Sequence, residues 1–589
     1  MSKGKSGIII GCLEKYLSGL INTCIFARNK YKPLNKTILL LYMKLTRTLS
    51  IVLFLGISLN VCAQKQNYSW SNLPKAAVPV FKKDTFNIIK YGAVADGLTL
   101  NTKSINAAIA ACSARGGGVV YIPQGLWLTG PIVLKSNVNL HTDRAAMVQF
   151  TDDKSQYALV EGNYEGHPAL RNESPISGTN LVNIAITGDG IFDGSGQVWR
   201  AIGKDRLTEN EWKAVVASGG LVSPDGRTWL PSESYALGSR TPNAGAIQPG
   251  KTLSDYAPYK DFFRPNMLVL TGCKKVLLSG ATFQNSPAWC MHTLLCEDMT
   301  LRGVHVKNPW NAQNGDGIDI ESCRNVLLEG STFDAGDDGI CIKSGRDEEG
   351  RKRGKPTENV VIRDNVVYRA HGGFVIGSEM SGGARNIFVS NCTFIGTDIG
   401  LRFKTTRGRG GIVENIFIKN ISMRNIVNEA ILFDMYYMTR ATSALGEKTV
   451  FPPVTEGTPQ FRNFYVSNVV CSGASKALMV RGLPEMSIKG IHLENMTIKA
   501  NNGADLIEAS DISLKNVTLD IKNPKQLINI ENSKGITLDH IKSLSPTNVF
   551  VSVNGDRCDG ITLTNTVTTG AKTNSEFKFG AESKALVIK

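Results

Sequence analysis

Eleven short stretches of this chain open on an apolar residue and then alternate apolar with polar residues. They begin near Val276, Met299, Val326, Val360, Ile387, Ile416, Phe464, Ile491, Ile512, Ile536 and Ile561, at intervals of 23, 27, 34, 27, 29, 48, 27, 21, 24 and 25 residues. Several share one phrase: "CRNVLLEGSTF", "TENVVIRDNVV", "ARNIFVSNCTF" and "VENIFIKNISM". A period of two is what a strand with one buried face requires. No long helical pattern separates the stretches, which excludes alternating strand and helix units. The leucine-and-asparagine spacing of leucine-rich repeats is also absent. A strand-and-turn repeat of this length predicts an all-β fold, a single-stranded right-handed parallel β-helix. Such a stack grows along one axis, so 589 residues need not divide into several domains.

The open end of a stack needs a cover. Residues 98–115, "LTLNTKSINAAIAACSAR", form one amphipathic helix with Asn101 or Thr102 as N-cap, an N-terminal helical cap before the first coil. The predicted β-helix spans 85–589, preceded by a linker over 64–84. Three stretches break the period and are expected as inserted loops: 202–262, 345–357 and 437–460. The first carries Trp212 and Trp229 and is a candidate groove wall. From Met43 the chain reads "MKLTRTLSIVLFLGISLNVCAQKQ", two cations, an apolar run and Ala63 before Gln64. This is a Sec-type signal peptide with cleavage expected after Ala63, and 1–42 read as an upstream segment. No later run is long and apolar enough for a membrane span. The protein is therefore expected to be secreted or periplasmic, and a monomer.

Of 12 cysteines, three lie in the segment before residue 64, leaving nine, an odd number for a disulfide scaffold. Cys273, Cys296 and Cys323 open equivalent repeats and are expected to stack as buried thiols. No CxxC or HExxH string is present, and neither cofactor nor metal is expected. The net charge of +15 suits an acidic polymer. Export and interleaved acids argue against nucleic acid.

Four coils align on a glycine: "NGDG-IDIES", "GDDG-ICIKS", "AHGG-FVIGS" and "TDIG-LRFKT", with Gly317, Gly339, Gly373 and Gly400 in register. Residues one and three after each glycine are apolar and should face the core. Residues two and four should face outward: Asp319/Glu321, Cys341/Lys343, Val375/Gly377 and Arg402/Lys404. Asp316, Asp337, Asp338 and His371 fall in the preceding turn. Coils spaced about 4.8 Å apart bring these residues into a patch about 15 Å long. A lone Asp-Gly is ordinarily a turn. Three stacked acids cost Coulomb energy, and asparagine would serve a turn equally well, so the column points to chemistry.

Four motifs in this order resemble the pectin-degrading polygalacturonases, family 28 of the glycoside hydrolases: Asn314-Gly-Asp316, Gly336-Asp337-Asp338, His371-Gly372 and Arg402-Phe-Lys404. "FNIIKYGAVADGLTLNT" looks like the start of the wider pectinase-like β-helix group. The family's tyrosine one coil later matches Tyr437, with Tyr436 the weaker match. Gly315 departs from the threonine common there. The resemblance implies inversion, with Asp337 as general acid, Asp316 and Asp338 together activating water, and His371 tuning an aspartate. It also implies that Asn314, Gly372, Arg402, Lys404 and Tyr437 serve substrate binding, to which Lys343 is added from the outward column.

The residues support that chemistry independently. Glycoside hydrolysis needs one protonated carboxyl and one carboxylate, and crowding acids raises the proton affinity of one of them. An inverting pair is expected to stand about 6.5–9.5 Å apart. A cation pair beside the acids suits a uronate carboxylate rather than a neutral sugar. Between 343 and 409 there are 13 Lys or Arg and seven Asp or Glu. The expected reaction is hydrolysis of α-1,4-linked galacturonate in an acidic polysaccharide, with exo action if the insertions close one end of the groove. A rhamnogalacturonan hydrolase, a Ca²⁺-dependent pectate lyase on the same fold and a non-catalytic polysaccharide-binding adhesin or tailspike stay open as alternatives.

Overall fold

All eleven stretches fall in one register column. Val276 pairs with Met299, Met299 with Val326, and the series continues through Val360, Ile387, Ile416, Phe464, Ile491 and Ile512 to Ile536. Thr537 pairs with Thr562, which places Ile561 in the same column. Every one of these pairings is parallel. The computed structural model describes residues 68–589 apart from 441–444 and 448–449. The expected signal peptide and part of the 437–460 insertion therefore lie outside the described residues.

Each coil turns its corner on a residue just before the column. Asn183, Lys275, Asp298, Asn325, Asn359, Asn386, Asn415, Asn463 and Asp511 sit there with φ between 54° and 60°. Asparagine and aspartate tolerate this left-handed conformation because their short polar side chains bond locally. Here they bond to one another: Asn325 donates to Asp298, Asn359 to Asn325 and Asn386 to Asn359, each at 3.2 Å. The repeated Asn of the shared phrase is thus a corner residue and a rung of a ladder.

Apolar residues fill the interior. Phe374, Phe403, Phe433 and Phe464 are fully buried, and their ring centroids lie 4.5–6.2 Å apart in sequence. Burying each ring contributes roughly 1.5–3 kcal/mol. All nine described cysteines are free and buried. Cys273, Cys296 and Cys323 form the expected stack, with the Cys296 backbone N–H 3.4 Å from Cys323 Sγ. The cap helix spans Thr102–Ala114 and buries Ile105, Ala108, Ile109 and Cys112 on one stripe. Asn101 is its N-cap residue, yet its amide bonds Val94 and Leu128 and ties down the preceding loop.

A 14-stranded parallel sheet forms the face that follows the aligned glycines. It includes Met291–Leu294, Ile318–Glu321, Asp338–Lys343, Gly372–Ile376, Leu401–Lys404 and Glu429–Asp434. Among the described residues no helix is long and apolar enough to cross a membrane.

The insertions differ from expectation in three ways. Residues 202–262 hold structure of their own: helices Glu209–Ala217 and Glu233–Arg240 and a small antiparallel sheet centred on Thr228–Leu230. A fourth insertion had no counterpart in the sequence reading. Leu159–Tyr164 and His167–Asn172 form an antiparallel hairpin whose two-residue turn, Glu165-Gly166, has both φ values positive. Hairpin and insertion share a core of Leu170, Ala244, Tyr256 and Phe263. The expected linker is docked from Trp70, whose ring meets Phe388 edge-on at 5.4 Å and lies beneath Lys419 Nζ at 4.0 Å. Residues 345–357 contain a short helix, Asp347–Arg353.

Candidate active site

The four aligned glycines lie at the entry to successive strands of the 14-stranded sheet. There the coils approach too closely for side chains. A Cβ on Gly317 would stand 2.4 Å from the Gly339 carbonyl oxygen, and one on Gly400 would stand 2.5 Å from that of Ala430. The Gly317 N–H donates to the Asp338 carbonyl at 2.8 Å, and the His371 N–H donates to the Asp337 carbonyl at 2.8 Å. The turn residues therefore stack as the alignment requires. Asp316 lies over Asp338, which pairs in turn with Gly372.

Asp316, Asp337 and Asp338 bring one carboxylate oxygen each within 4.8 Å of one another. The glycine turn forces adjacent coils and adjacent residues to share one small volume. The three differ sharply in environment. Asp316 is buried and its Oδ1 has no hydrogen-bond partner. Burial, with Asp319 and Asp337 nearby, pushes its carboxyl well above the usual range, against the pull of Lys343. Asp338 is equally buried, and burial pushes it upward too. Lys404 at 2.8 Å and Arg402 at 3.4 Å, with Lys343, outweigh that and hold it ionised below the usual range. Asp337 is the most open, with 24% of its side chain exposed, and its Oδ1 lies 2.9 Å from His371 Nδ1. That hydrogen bond raises the His371 proton affinity above its ordinary value, against partial desolvation.

The cations are not free. Lys404 is buried and committed to Asp338, with its Nζ 5.0 Å from the Tyr437 ring. Arg402 bonds Asp338 and the His371 carbonyl, and its guanidinium lies 5.8 Å from the same ring. Tyr437, half-buried, is thus the tyrosine beside the site. Tyr436 is buried between Arg407 and Arg481. Gly372 acts by lacking a side chain, since a Cβ there would meet Arg402 Cβ and Cδ at 3.3 Å.

Asn314 takes a left-handed turn at φ 52°. Its Oδ1 accepts from Arg264 at 2.7 Å, with the Tyr164 hydroxyl at 3.4 Å. A guanidinium can only donate, so Oδ1 must face Arg264 and the amide N–H groups must face away. Arg264 follows the 202–262 insertion and Tyr164 is on the unforeseen hairpin.

The outward column departs from expectation. Asp319, Glu321 and Lys343 point away from the core yet are buried. The hairpin and the 347–353 helix cover that side. Arg353 bonds Glu321 at 2.6 Å, Arg346 bonds Glu165 at 3.0 Å, and Gly166 packs against Arg346. Glu321 also pairs with His292 at 2.8 Å. Lys343, expected as a substrate contact, bonds Glu379 at 2.8 Å and lies 3.5 Å from Asp319. It is a buried counter-ion and not a groove residue. Asp319 has no hydrogen bond to either oxygen, and burial pushes its carboxyl well above the usual range.

Asp319, Glu379, Arg264 and Tyr164 were not among the candidates from sequence. Asp398 was missed too, although it stands in the aligned phrase "TDIG" one coil beyond His371, with its Oδ2 3.9 Å from His371 Nε2. The three aspartates are the one acidic group among the described residues compact enough for a metal ion. Both oxygens of Asp338 already face Lys404 and Arg402, so an ion there would sit against two fixed cations. The donor set suits a metal poorly.

Comparison with known proteins agrees with this geometry. Residues 254–451 match the model of glycosyl hydrolases family 28, and residues 85–241 match that of rhamnogalacturonase A/epimerase, pectate lyase-like. A probable polygalacturonase of Vitis vinifera is 28% identical over 76% of this chain and 80% of its own. An exo-poly-α-D-galacturonosidase of Dickeya chrysanthemi is 26% identical over 78% and 75%. The crystal structure of a hyperthermoactive exopolygalacturonase from Thermotoga maritima is 30% identical, covers 78% of this chain and 93% of its own, and superimposes with a TM-score of 0.60. With its β-helix, its three aspartates on two stacked turns and these relatives, the chain belongs to glycosyl hydrolases family 28 and is a glycoside hydrolase.

Proposed function

We propose that the enzyme hydrolyses α-1,4-galacturonosidic bonds of de-esterified pectin, with inversion, from the chain end and outside the cytoplasm. One observation carries the reading: three aspartates within 4.8 Å, of which Asp338 is held ionised by two cations while Asp337 opens to the groove. Asp337 donates a proton to the leaving oxygen. Asp338 takes one from the attacking water. Asp316, whose proton affinity is raised, orients that water through its unpartnered Oδ1 rather than sharing the base role equally. A water bonded to two oxygens at about 2.8 Å each spans a gap of about 4.6 Å, which lies within the 4.8 Å that encloses the nearest oxygens of the three aspartates. A water seated between Asp316 and Asp338 in this way requires no covalent intermediate.

Arg402 and the amide of Asn314 supply donors for a uronate carboxylate or hydroxyl, the chemistry implied by the names of the relatives. Replacing Arg402 with Gln should raise KM for polygalacturonate about 10-fold or more, because a charge-assisted contact contributes roughly 1.5–3 kcal/mol. Since Arg402 also helps hold Asp338 ionised, the acid limb of the kcat profile should move to higher pH. Initial rates across pH measure both effects.

Support for exo action comes from the hairpin, which stands over the coils before the aspartates, with Tyr164 stacked on Trp289 at 6.1 Å and its hydroxyl 3.4 Å from Asn314 Oδ1. The terminal sugar would abut this wall and the rest of the polymer would run toward the later coils. Defined oligogalacturonates should yield mono- or disaccharides from the first time point. A spread of internal fragments would contradict the exo assignment alone.

A further inference from the structure

An inverting hydrolysis leaves a proton on the base and removes one from the acid, so each turnover must return a proton to the acid. Asp337, His371 and Asp398 occupy equivalent turn positions in three successive coils. His371 N–H donates to the Asp337 carbonyl, and Asp398 N–H donates to the Ala370 carbonyl, both at 2.8 Å. The imidazole stands between two carboxylates, with Nδ1 2.9 Å from Asp337 Oδ1 and Nε2 3.9 Å from Asp398 Oδ2. The row also rises toward water: 24% of the Asp337 side chain is exposed, against 46% for His371 and 41% for Asp398. No other residue of the aspartate cluster has such a path, since Asp316 and Asp338 are buried.

We propose that Asp398 is a positioning residue for the reaction, holding His371 as an imidazolium that returns a proton from solvent to Asp337 after each turnover. The proposal rests on the hydrolytic reading above, with Asp337 as the acid. The step balances without a co-reactant. Asp337 gives its proton to the leaving oxygen and becomes a carboxylate. His371 passes its Nδ1 proton to that carboxylate and is left neutral. It keeps its Nε2 proton on the Asp398 side and takes a new one at the vacated Nδ1 from water at the exposed ring, while the proton left on Asp338 by the attacking water is released with product. The groups facing His371 are Asp337, Asp338 and Asp398, with the Arg402 guanidinium on its backbone carbonyl at 3.2 Å. All three carboxylates favour the charged ring, and Asp398 is the one on its solvent side.

The sign follows from linkage. His371 must be protonated, so activity is full below its raised proton affinity and falls as pH rises through it. Removing the Asp398 charge lowers that affinity. In Asp398→Asn the alkaline limb of kcat should therefore move to lower pH, with kcat on that flank falling roughly 3- to 10-fold. KM and the acid limb should stay unchanged, and Asp398→Glu should restore the wild-type profile. The His371 ring titration, followed by NMR in protein carrying ¹³C-labelled histidine and assigned by its loss in His371→Gln, should shift the same way without substrate. Unchanged ring titration in Asp398→Asn overturns the proposal whatever the enzyme hydrolyses. A shifted titration with an unshifted kcat limb overturns the relay. Failure of the wild type to hydrolyse polygalacturonate would instead remove the reading on which it rests.

Discussion

Asp337→Asn should lower kcat on polygalacturonate by about 10²- to 10⁴-fold, the usual contribution of a general acid, with KM changed only a few-fold. The substitution keeps the shape of the side chain. The amide oxygen still accepts from His371 Nδ1 and from the Asp338 backbone N–H, both of which bond Asp337 Oδ1 at 2.9 Å. The neutral amide matches the neutral acid that donates the proton and keeps both hydrogen bonds, so the folded state should lose little stability. An aryl galacturonide with a good leaving group needs little proton donation and should recover much of the rate. Loss on both substrates would move the acid role away from Asp337. Circular dichroism and a denaturation curve would separate either outcome from misfolding.

The second large effect is on stability. Lys343→Met should cost about 3–5 kcal/mol, because it strips the partner from buried charges. Lys343 Nζ bonds Glu379, lies 3.5 Å from Asp319 and sits 4.9 Å from the Trp289 ring. Burial pushes the Glu379 carboxyl up, but Lys343 and its neighbours bring it down to about 2. A depressed carboxylate contributes stability that is full above its unfolded value and lost as pH falls through the folded one. In the wild type that contribution fades between pH 4.5 and about 2. The variant lacks it, so the difference between the two should be largest near neutrality and should shrink in that window. Glu379→Gln in the same chain should recover part of the loss. Denaturant midpoints across pH check this. If Lys343 were an open substrate contact, KM would rise and stability would not move.

How far the sequence could be read depends on whether neighbouring coils or distant insertions decide a residue's surroundings. The repeat column from Val276 to Ile561 was legible because each coil obeys the same local constraint, an apolar strand entered through a left-handed residue, which is Asn, Asp or Gly in every coil but that of Val276, where it is Lys275. The stacking of Asp316, Asp337, Asp338 and His371 followed from that register alone. The burial of Lys343, Asp319 and Glu321 did not, since it depends on what an insertion and neighbouring coils lay over that face: Arg353 of the 347–353 helix on Glu321, and Glu379 and Trp289 on Lys343. The hairpin's signal is the Asn-Tyr-Glu-Gly turn in "EGNYEGHPAL", which breaks no repeat. Arg264 and Tyr164 were invisible for the same reason, because the insertions bring them to Asn314. Asp398 was visible in the alignment and lacked only a reason to be noticed.

The most direct test of this account is ¹H NMR of the first product formed from α-1,4-linked oligogalacturonate, with absorbance of unsaturated uronate followed in parallel and with EDTA present. Hydrolysis by Asp337 and Asp338 with inversion predicts that the β-anomer of the new reducing end appears first and then mutarotates, with no unsaturated product and no loss of rate in EDTA. An α-anomer appearing first, or an EDTA-sensitive unsaturated product, would contradict it.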